Sequence, residues 1–567
     1  MPRFLLAVVA VNTSSSVIVP LPDSSPALQR LGLVAFALLA VAYGVFFIRL
    51  TSFPFQDFPN HLTRAAVLAD LLFHHGARYG QMFDFSFMPV PYILGDLLLA
   101  GLVELLGAAV GGAVWMVVVL LSWPAALLFL ARVTDVSRNG RLFVLFIGLY
   151  LATDWFFLLA FTQFRLGMAL MVMALGVAHL LRLRWSAARF AAFLALLLAG
   201  YFTHLAFVIF LAPCLVVSAA VRLYFKRTTV RTELALIVPV LAVMLWHFGF
   251  ADRVYRSEGV VPYTWLWGEP LLKLTGLNLQ LLRFGGPFAK SLILLFVLAL
   301  GWGLWRDLRW RRLMNPQVIE MLALAVTFLG IYVVLPSRYS QAAYVDVRAL
   351  AMISLFVLLA RVYLAEGSTA QPAFAGPFFI PAVALLSVLN LGYLWMNLAP
   401  NDAWGVGYRE IVARVPAGAS VLPIYTSGRE GAVAPRLHMS SFIVLDRAAL
   451  MPYLFSGDGG HPMKYFRYRR KPYAPVERWY NAVIPVEVAW QPISCSYDYL
   501  LVGKPYDAQR IKLRTSTVSE NSSAALLAID RSQFACAQTN NADAASTNPR
   551  TAAVAPAVGN NFFRARK

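Results

Sequence analysis

The sequence predicts a polytopic α-helical membrane protein, with about eleven transmembrane helices and a small external α/β domain near the C-terminal end. Three observations carry that prediction. Of the 567 residues, 59% are hydrophobic and only 13% charged, against about 25% charged in soluble domains. Apolar runs of roughly 20 residues, the length that crosses a bilayer, recur from position 31 to position 398. Beyond Ala399 they give way to short strand-like runs between polar and aromatic loops.

Residues 1–30 read as a disordered extension. Phe4 to Val11 is apolar but too short to span, and a Ser-rich patch with Pro20 and Pro22 follows it. The transmembrane module occupies 31–398. Spans are expected near 31–49, 112–131, 142–160, 164–181, 189–203, 205–224, 232–250, 288–305, 317–335, 348–364 and 377–398. The run 92–107 is short and holds Asp96 and Glu104, so it either crosses or lies along the membrane.

Charge arbitrates. The segments with Arg132/Arg138/Arg141, Arg182/Arg184/Arg189, Lys226/Arg227/Arg231 and Arg306/Arg309/Arg311/Arg312 are basic and belong on the cytoplasmic side. They alternate correctly only if 92–107 does not cross, which makes 50–111 one long external segment. Asp154, Gln163, Arg165, His204, Arg338, Asp346 and Arg348 then all fall at external helix ends. The net charge of +20 follows from these loops. No basic patch interleaves with stacking aromatics, so nucleic acid is not an expected partner.

The external domain is expected over 399–537, its folded part over 405–535, with strand-like runs at 420–424, 442–445 and 497–502. The tail 538–567 is rich in Ala, Asn and Thr and reads as disordered. Cys214 lies in an apolar run and reads as core. Cys495 and Cys536 share the polar region, where an oxidising compartment permits a disulfide.

The candidate chemistry starts where the chain first leaves the membrane, at Phe53-Pro54-Phe55-Gln56-Asp57-Phe58-Pro59-Asn60-His61-Leu62-Thr63-Arg64. Helical pitch puts Asp57, His61 and Arg64 on one face at i, i+4 and i+7. A structural reading competes: Asp57 as the N-cap of an interfacial helix that has Pro59 in its first turn, with Arg64 snorkelling to head groups. His204 interrupts two apolar runs, and ionisable groups at such depth are functional candidates because their burial is costly; the alternative is a satisfied core histidine. Arg165 serves equally as an interface anchor or a binding group. Arg338 and Arg348 break the positive-inside rule in an external loop and suit phosphate through bidentate hydrogen bonds, unless Arg348 merely pairs with Asp346. The sequence has no phosphate-binding glycine loop, no His-Glu-x-x-His and no paired-cysteine zinc motif.

This order of parts resembles the GT-C superfamily of membrane glycosyltransferases, which take sugars from polyprenyl-phosphate donors. A first helix, an external loop with an acidic residue, juxtamembrane helices, a helical bundle and an external C-terminal domain follow one another. The segments Gln56–Arg64, Gln163-Phe164-Arg165-Leu166-Gly167 and Tyr344-Val345-Asp346-Val347-Arg348 are similar to those of bacterial members. The resemblance implies an inverting transfer with Asp57 as general base, and substrate contacts from His61, Arg64, Asp154, Gln163, Arg165, His204, Arg338 and Arg348. Many members carry paired acids in the first loop. Here Gln56 precedes Asp57, so no metal is assigned, because a divalent ion wants more than one carboxylate. The implied partners are the bilayer, a polyprenyl-phosphate-linked sugar and a glycan, lipid or protein acceptor. The implied place is the bacterial inner membrane, with active face and C-terminal domain extracytoplasmic. A flippase for lipid-linked glycans, or a membrane scaffold, shares most of these features but needs no base.

Overall fold

The computed structural model describes residues 26–251, 315–339, 342–366, 379–424, 433–456, 465–469 and 488–536, with positions 265–266, 273, 463 and 472. Side chains are not described at 251, 265–266, 338–339, 342–343, 365–366 and 379. The expected span 288–305 and both chain ends lie outside the described residues.

Seven described helices are long and apolar enough to cross a membrane. They are α1 (Pro26–Arg49), α3 (Ile93–Val133), α6 (Thr162–Leu183), α8 (Ala206–Tyr224), α9 (Val230–Trp246), α10 (Pro316–Val334) and α12 (Phe379–Val412). Between them run α2 (Phe58–Phe73), α4 (Arg138–Ala152), the single turn α5 (Trp155–Leu158), α7 (Ala187–Thr203) and α11 (Arg348–Glu366). On α1 only Leu39, Tyr43, Phe46 and Phe47 are buried, and most of its other apolar side chains are exposed, as expected of a helix whose solvent is lipid. Polar residues tie the bundle across helices: Asn390 on α12 donates to Tyr43 Oη on α1 (2.9 Å) and to Thr153 Oγ1 (2.8 Å), and Ser387 Oγ donates to Phe146 O on α4.

Two elements differ from the sequence reading, and a third gains detail. The run 92–107 forms a helical limb of its own, followed without a break in the chain by the second limb of α3 after a sharp bend at Gly107 (φ 76°, ψ 162°), a conformation open to glycine alone. A side chain at Gly111 would meet the Leu102 carbonyl at 2.6 Å, so the second limb leaves along the first. The run 142–160 is not one helix. It stops at Ala152, and Asp154 caps α5 by accepting from Phe157 N (3.0 Å). The run 442–445 is not a strand but α13 (Phe442–Arg447), entered through a tight turn at 439–441. Buried on all sides, it lacks the alternation that separates a strand from a short helix.

Secondary structure does not break at 398. α12 continues for 34 residues, about 50 Å at 1.5 Å per residue, and its far end packs on a C-terminal sheet. That sheet contains β5 (Val421–Ile424), β7 (Tyr499–Gly503), β9 (Ala524–Ile529) and β8 (Thr515–Glu520), in that spatial order. β5 runs parallel to β7, while the β7–β9 and β9–β8 pairs are antiparallel. The β8–β9 turn is closed by Asn521 Oδ1, which accepts from Ser523 N and Ala524 N. Cys495 on α14 (Trp490–Ser496) is disulfide-bonded to Cys536 beyond β9. A separate ribbon pairs β1 (Phe83–Phe85), from the loop after α2, with β6 (Phe466–Tyr468). Two-residue strands at 265–266, 338–339 and 342–343 (β2, β3 and β4) form a third small sheet.

Candidate active site

α2 owes its orientation to the C-terminal region. Three polar side chains along one face of it, at i, i+4 and i+7, reach the segment 433–456. Gln56 Oε1 accepts from Ala434 N (3.2 Å), Asn60 donates to Tyr453 O (3.1 Å) and accepts from Phe455 N (2.8 Å), and Thr63 donates to Ser441 O (3.2 Å). Just upstream, Asp402 on α12 accepts from Ser52 N and Ser52 Oγ, both at 2.7 Å. The adjacent face carries Asp57, His61 and Arg64.

Asp57 stands at the N-cap position of α2, yet its side chain caps nothing. Its backbone N–H is bound by Leu159 O. Its carboxylate, 13% exposed, lies 3.5 Å from Nε2 of His438, which is 3% exposed. The His438 ring is set edge-on to Phe455 (4.9 Å), and Phe455 also meets His61 (5.9 Å). Helix capping therefore does not account for the acid at this position.

Arg64 behaves otherwise. It forms a two-pronged ion pair with Asp96, Nε to Oδ2 and Nη2 to Oδ1, both 2.7 Å, with side-chain exposures of 0% and 1%. Gln163 donates to the same carboxylate (2.6 Å), as does Tyr465 Oη (2.5 Å). Asp96 thus joins α2, α3, α6 and the C-terminal region at one point. Arg64 Nη2 also lies 2.8 Å from His61 Nδ1. A guanidinium cannot accept, so Nδ1 keeps its lone pair and the neutral ring carries its proton on Nε2. Burial, reinforced by Arg64, pushes the imidazole down to about 3.

His61 is therefore neutral at pH 7 in the folded chain, whereas the unfolded chain takes up a proton below about 6.5. Since the unfolded state binds more protons, stability should fall as pH drops from about 6.5 towards 3, by about 1.4 kcal/mol per pH unit at the steepest. Unfolding midpoints of the detergent-solubilised protein across that range should show the slope, and His61→Asn should flatten it. An unchanged slope in the variant would show that His61 titrates normally.

Asp154 and Arg165 form a second buried pair (2.9 Å), with Arg165 also donating to Leu151 O and lying 4.5 Å over Trp123. The interface-anchor reading of Arg165 fails on that burial. A third group gathers Tyr92, His204 and Arg348. Arg348 Nη1 lies 3.0 Å from His204 Nε2, and its guanidinium is close enough to Tyr92 to interact with the phenol. Tyr92 and Phe164 stand edge-on to His204 at 4.8 and 5.4 Å, and Phe161 and Phe164 lie under the guanidinium. His204 Nδ1 accepts from Ala206 N (3.0 Å), so the ring is held between the start of α8 and the Arg348 guanidinium.

The first turn of α3 connects these groups, since Tyr92 reaches Arg348 and Asp96, one turn later, reaches Arg64. Asp346, the acid beside Arg348, pairs with Lys273 (3.3 Å). Of Arg338 only the backbone, in β3, is described. Asp96, Tyr465, His438, Phe455 and Tyr92 have no site role in the sequence reading; only Asp96 carried a signal, as an acid inside an apolar run. Among the described residues no group of three or more His, Cys, Asp or Glu side chains forms a metal cluster. A carboxylate against an imidazole, as at Asp57 and His438, is a poor set for an oxygen-seeking divalent cation.

In sequence, no protein-family model and no curated protein matches the chain. In structure it aligns over 90% of its length with the whole (100%) of apo ArnT from Cupriavidus metallidurans, a GT-C glycosyltransferase, at TM-score 0.51 and 12% identity. The chain shares the fold of that enzyme. The same enzyme bound to undecaprenyl phosphate aligns at TM-score 0.49 and 13% identity, over 88% of this chain and 97% of that one. At such identities the likeness is one of fold. The side chains described above belong to this chain.

Proposed function

We propose that this GT-C chain transfers a sugar from a polyprenyl-phosphate donor to an extracytoplasmic acceptor, with inversion and with Asp57 as general base. The observation that carries the reading is the state of Asp57. It follows the first helix of a GT-C fold, its side chain makes no capping hydrogen bond to α2, and its carboxylate lies 3.5 Å from the His438 imidazole. The Asp57 carboxylate takes the proton of an acceptor hydroxyl, and the acceptor oxygen bonds to the anomeric carbon. The bond from that carbon to the phosphate oxygen breaks, and the lipid phosphate leaves with the electron pair. Phosphate is a good leaving group, so one carboxylate suffices where a glycosidase uses two.

Charge on the departing phosphate falls to Arg348, whose guanidinium lies beside His204 over an aromatic floor and suits an anionic oxygen. Arg64 and Arg165 hold the frame through their carboxylates, and no step is routed through a metal. Arg348→Lys keeps the charge but loses the planar fork, so it should weaken donor use by about tenfold, and Arg348→Met by more. Initial rates against dilutions of donor lipid check this, and equal rates for the lysine, methionine and wild-type forms would remove Arg348 from the phosphate site. The function itself is tested by mass spectrometry of envelope glycans and polyprenyl-linked sugars. The strains compared are a deletion and its complements with wild type and Asp57→Asn at equal protein level. Loss of one glycosyl unit with accumulation of a lipid-linked donor is expected in deletion and variant alike.

A further inference from the structure

We infer that the C-terminal region is part of the catalytic apparatus, and that His438 is the positioning residue for Asp57. The inference rests on Asp57 being the base and goes one step beyond it. His438 Nε2 lies 3.5 Å from Asp57 Oδ1, and both groups are largely buried. The two residues are 381 positions apart in the chain, so the contact exists only because segment 433–456 is fastened to α2.

That fastening is specific. Gln56, Asn60 and Thr63 are all hydrogen-bonded to the C-terminal segment that holds His438. Each lies one position before Asp57, His61 or Arg64, which fixes the rotation of α2 about its own axis. His438 is in turn held by Phe455, whose own backbone N–H is bound to Asn60. The imidazole and the carboxylate are thereby anchored to one another from both sides. A carboxylate that must point at an acceptor hydroxyl gains most from a donor on one of its oxygens, because a base works only within hydrogen-bond reach of its proton. A brace would need the backbone contacts alone; it would not need an imidazole in contact with the acid.

The test uses the full chain in membranes, with the organic-phase lipid extract of the deletion strain as donor. Four proteins are compared: wild type, Asp57→Asn, His438→Phe and His438→Gln. Phenylalanine keeps the ring packing on Phe455 and removes the donor, and glutamine restores a donor at similar reach. His438→Phe should lower the rate at saturating extract by about tenfold or more, with half-saturation nearly unchanged, and His438→Gln should recover most of the rate. In the Asp57→Asn background, His438→Phe should cause no further loss, because a residue acting through the acid has nothing left to act on. A wild-type rate for His438→Phe, or equal impairment of the Phe and Gln forms, overturns the inference while Asp57→Asn stays inactive and the base reading stands. An active Asp57→Asn would instead overturn the base reading itself.

Discussion

Asp57→Asn is expected to lower transfer by at least a thousandfold with little change in the amount of folded protein. The magnitude follows from what is removed. A general base in good position contributes roughly 10²–10⁴ in rate, and the buried acids described near it are already paired. Asp96 is held by Arg64, Gln163 and Tyr465, and Asp154 by Arg165 and the first turn of α5. Asparagine is isosteric with aspartate, and Asp57 contributes no cap to α2, so the fold should tolerate it. The measurement pairs the mass-spectrometric assay with a thermal midpoint of the purified protein. Retention of more than a tenth of the wild-type rate would show that the acceptor is deprotonated elsewhere or needs no base, and would favour transport of the lipid-linked glycan.

Asp96→Ala should have the largest effect on stability. It leaves the Arg64 guanidinium buried without its counter-ion and strips Gln163 and Tyr465 of their common acceptor. Breaking one side of a buried ion pair costs about 3–5 kcal/mol, a large share of the 5–15 kcal/mol that holds a typical domain together. Since the carboxylate joins four parts of the chain, the loss should be felt at the loop, with β1–β6 and the start of α3 opening first. Protease nicking after residue 70 and a lowered midpoint in detergent would report it. Adding Arg64→Met should recover part of the loss, because the uncompensated charge is then gone. If the single variant unfolds at the wild-type midpoint, the pair is wet rather than buried, and Arg64 becomes available to substrate.

The two predictions separate chemistry from scaffold among residues that look alike in the sequence. Asp57, Asp96 and Asp154 are all acids near helix ends, and Arg64, Arg165 and Arg348 are all arginines on the same side of the membrane by the charge rule. What separates them is who sits opposite. Arg64 and Asp96 are 32 positions apart, Arg165 and Asp154 only 11, but His438 is 381 positions from Asp57 and Tyr465 is 369 from Asp96. Hydropathy and helical period report only what lies within a few turns.

Alone, the sequence determined the membrane class, the bundle of apolar helices, the α/β character of the last third, and Asp57 with His61 and Arg64 on one face of a helix after the first span. Those follow from local quantities: transfer free energy summed over 20 residues, loop charge and helical pitch. Only the tertiary structure decided that Arg64 and Arg165 are neutralised by Asp96 and Asp154. It also decided that 442–445 is helical, that 92–107 folds back at Gly107, and that α12 carries the C-terminal region down onto the loop. Those outcomes depend on which groups meet at a distance once the chain is closed, since a buried charge takes whatever opposite charge the packing brings to it.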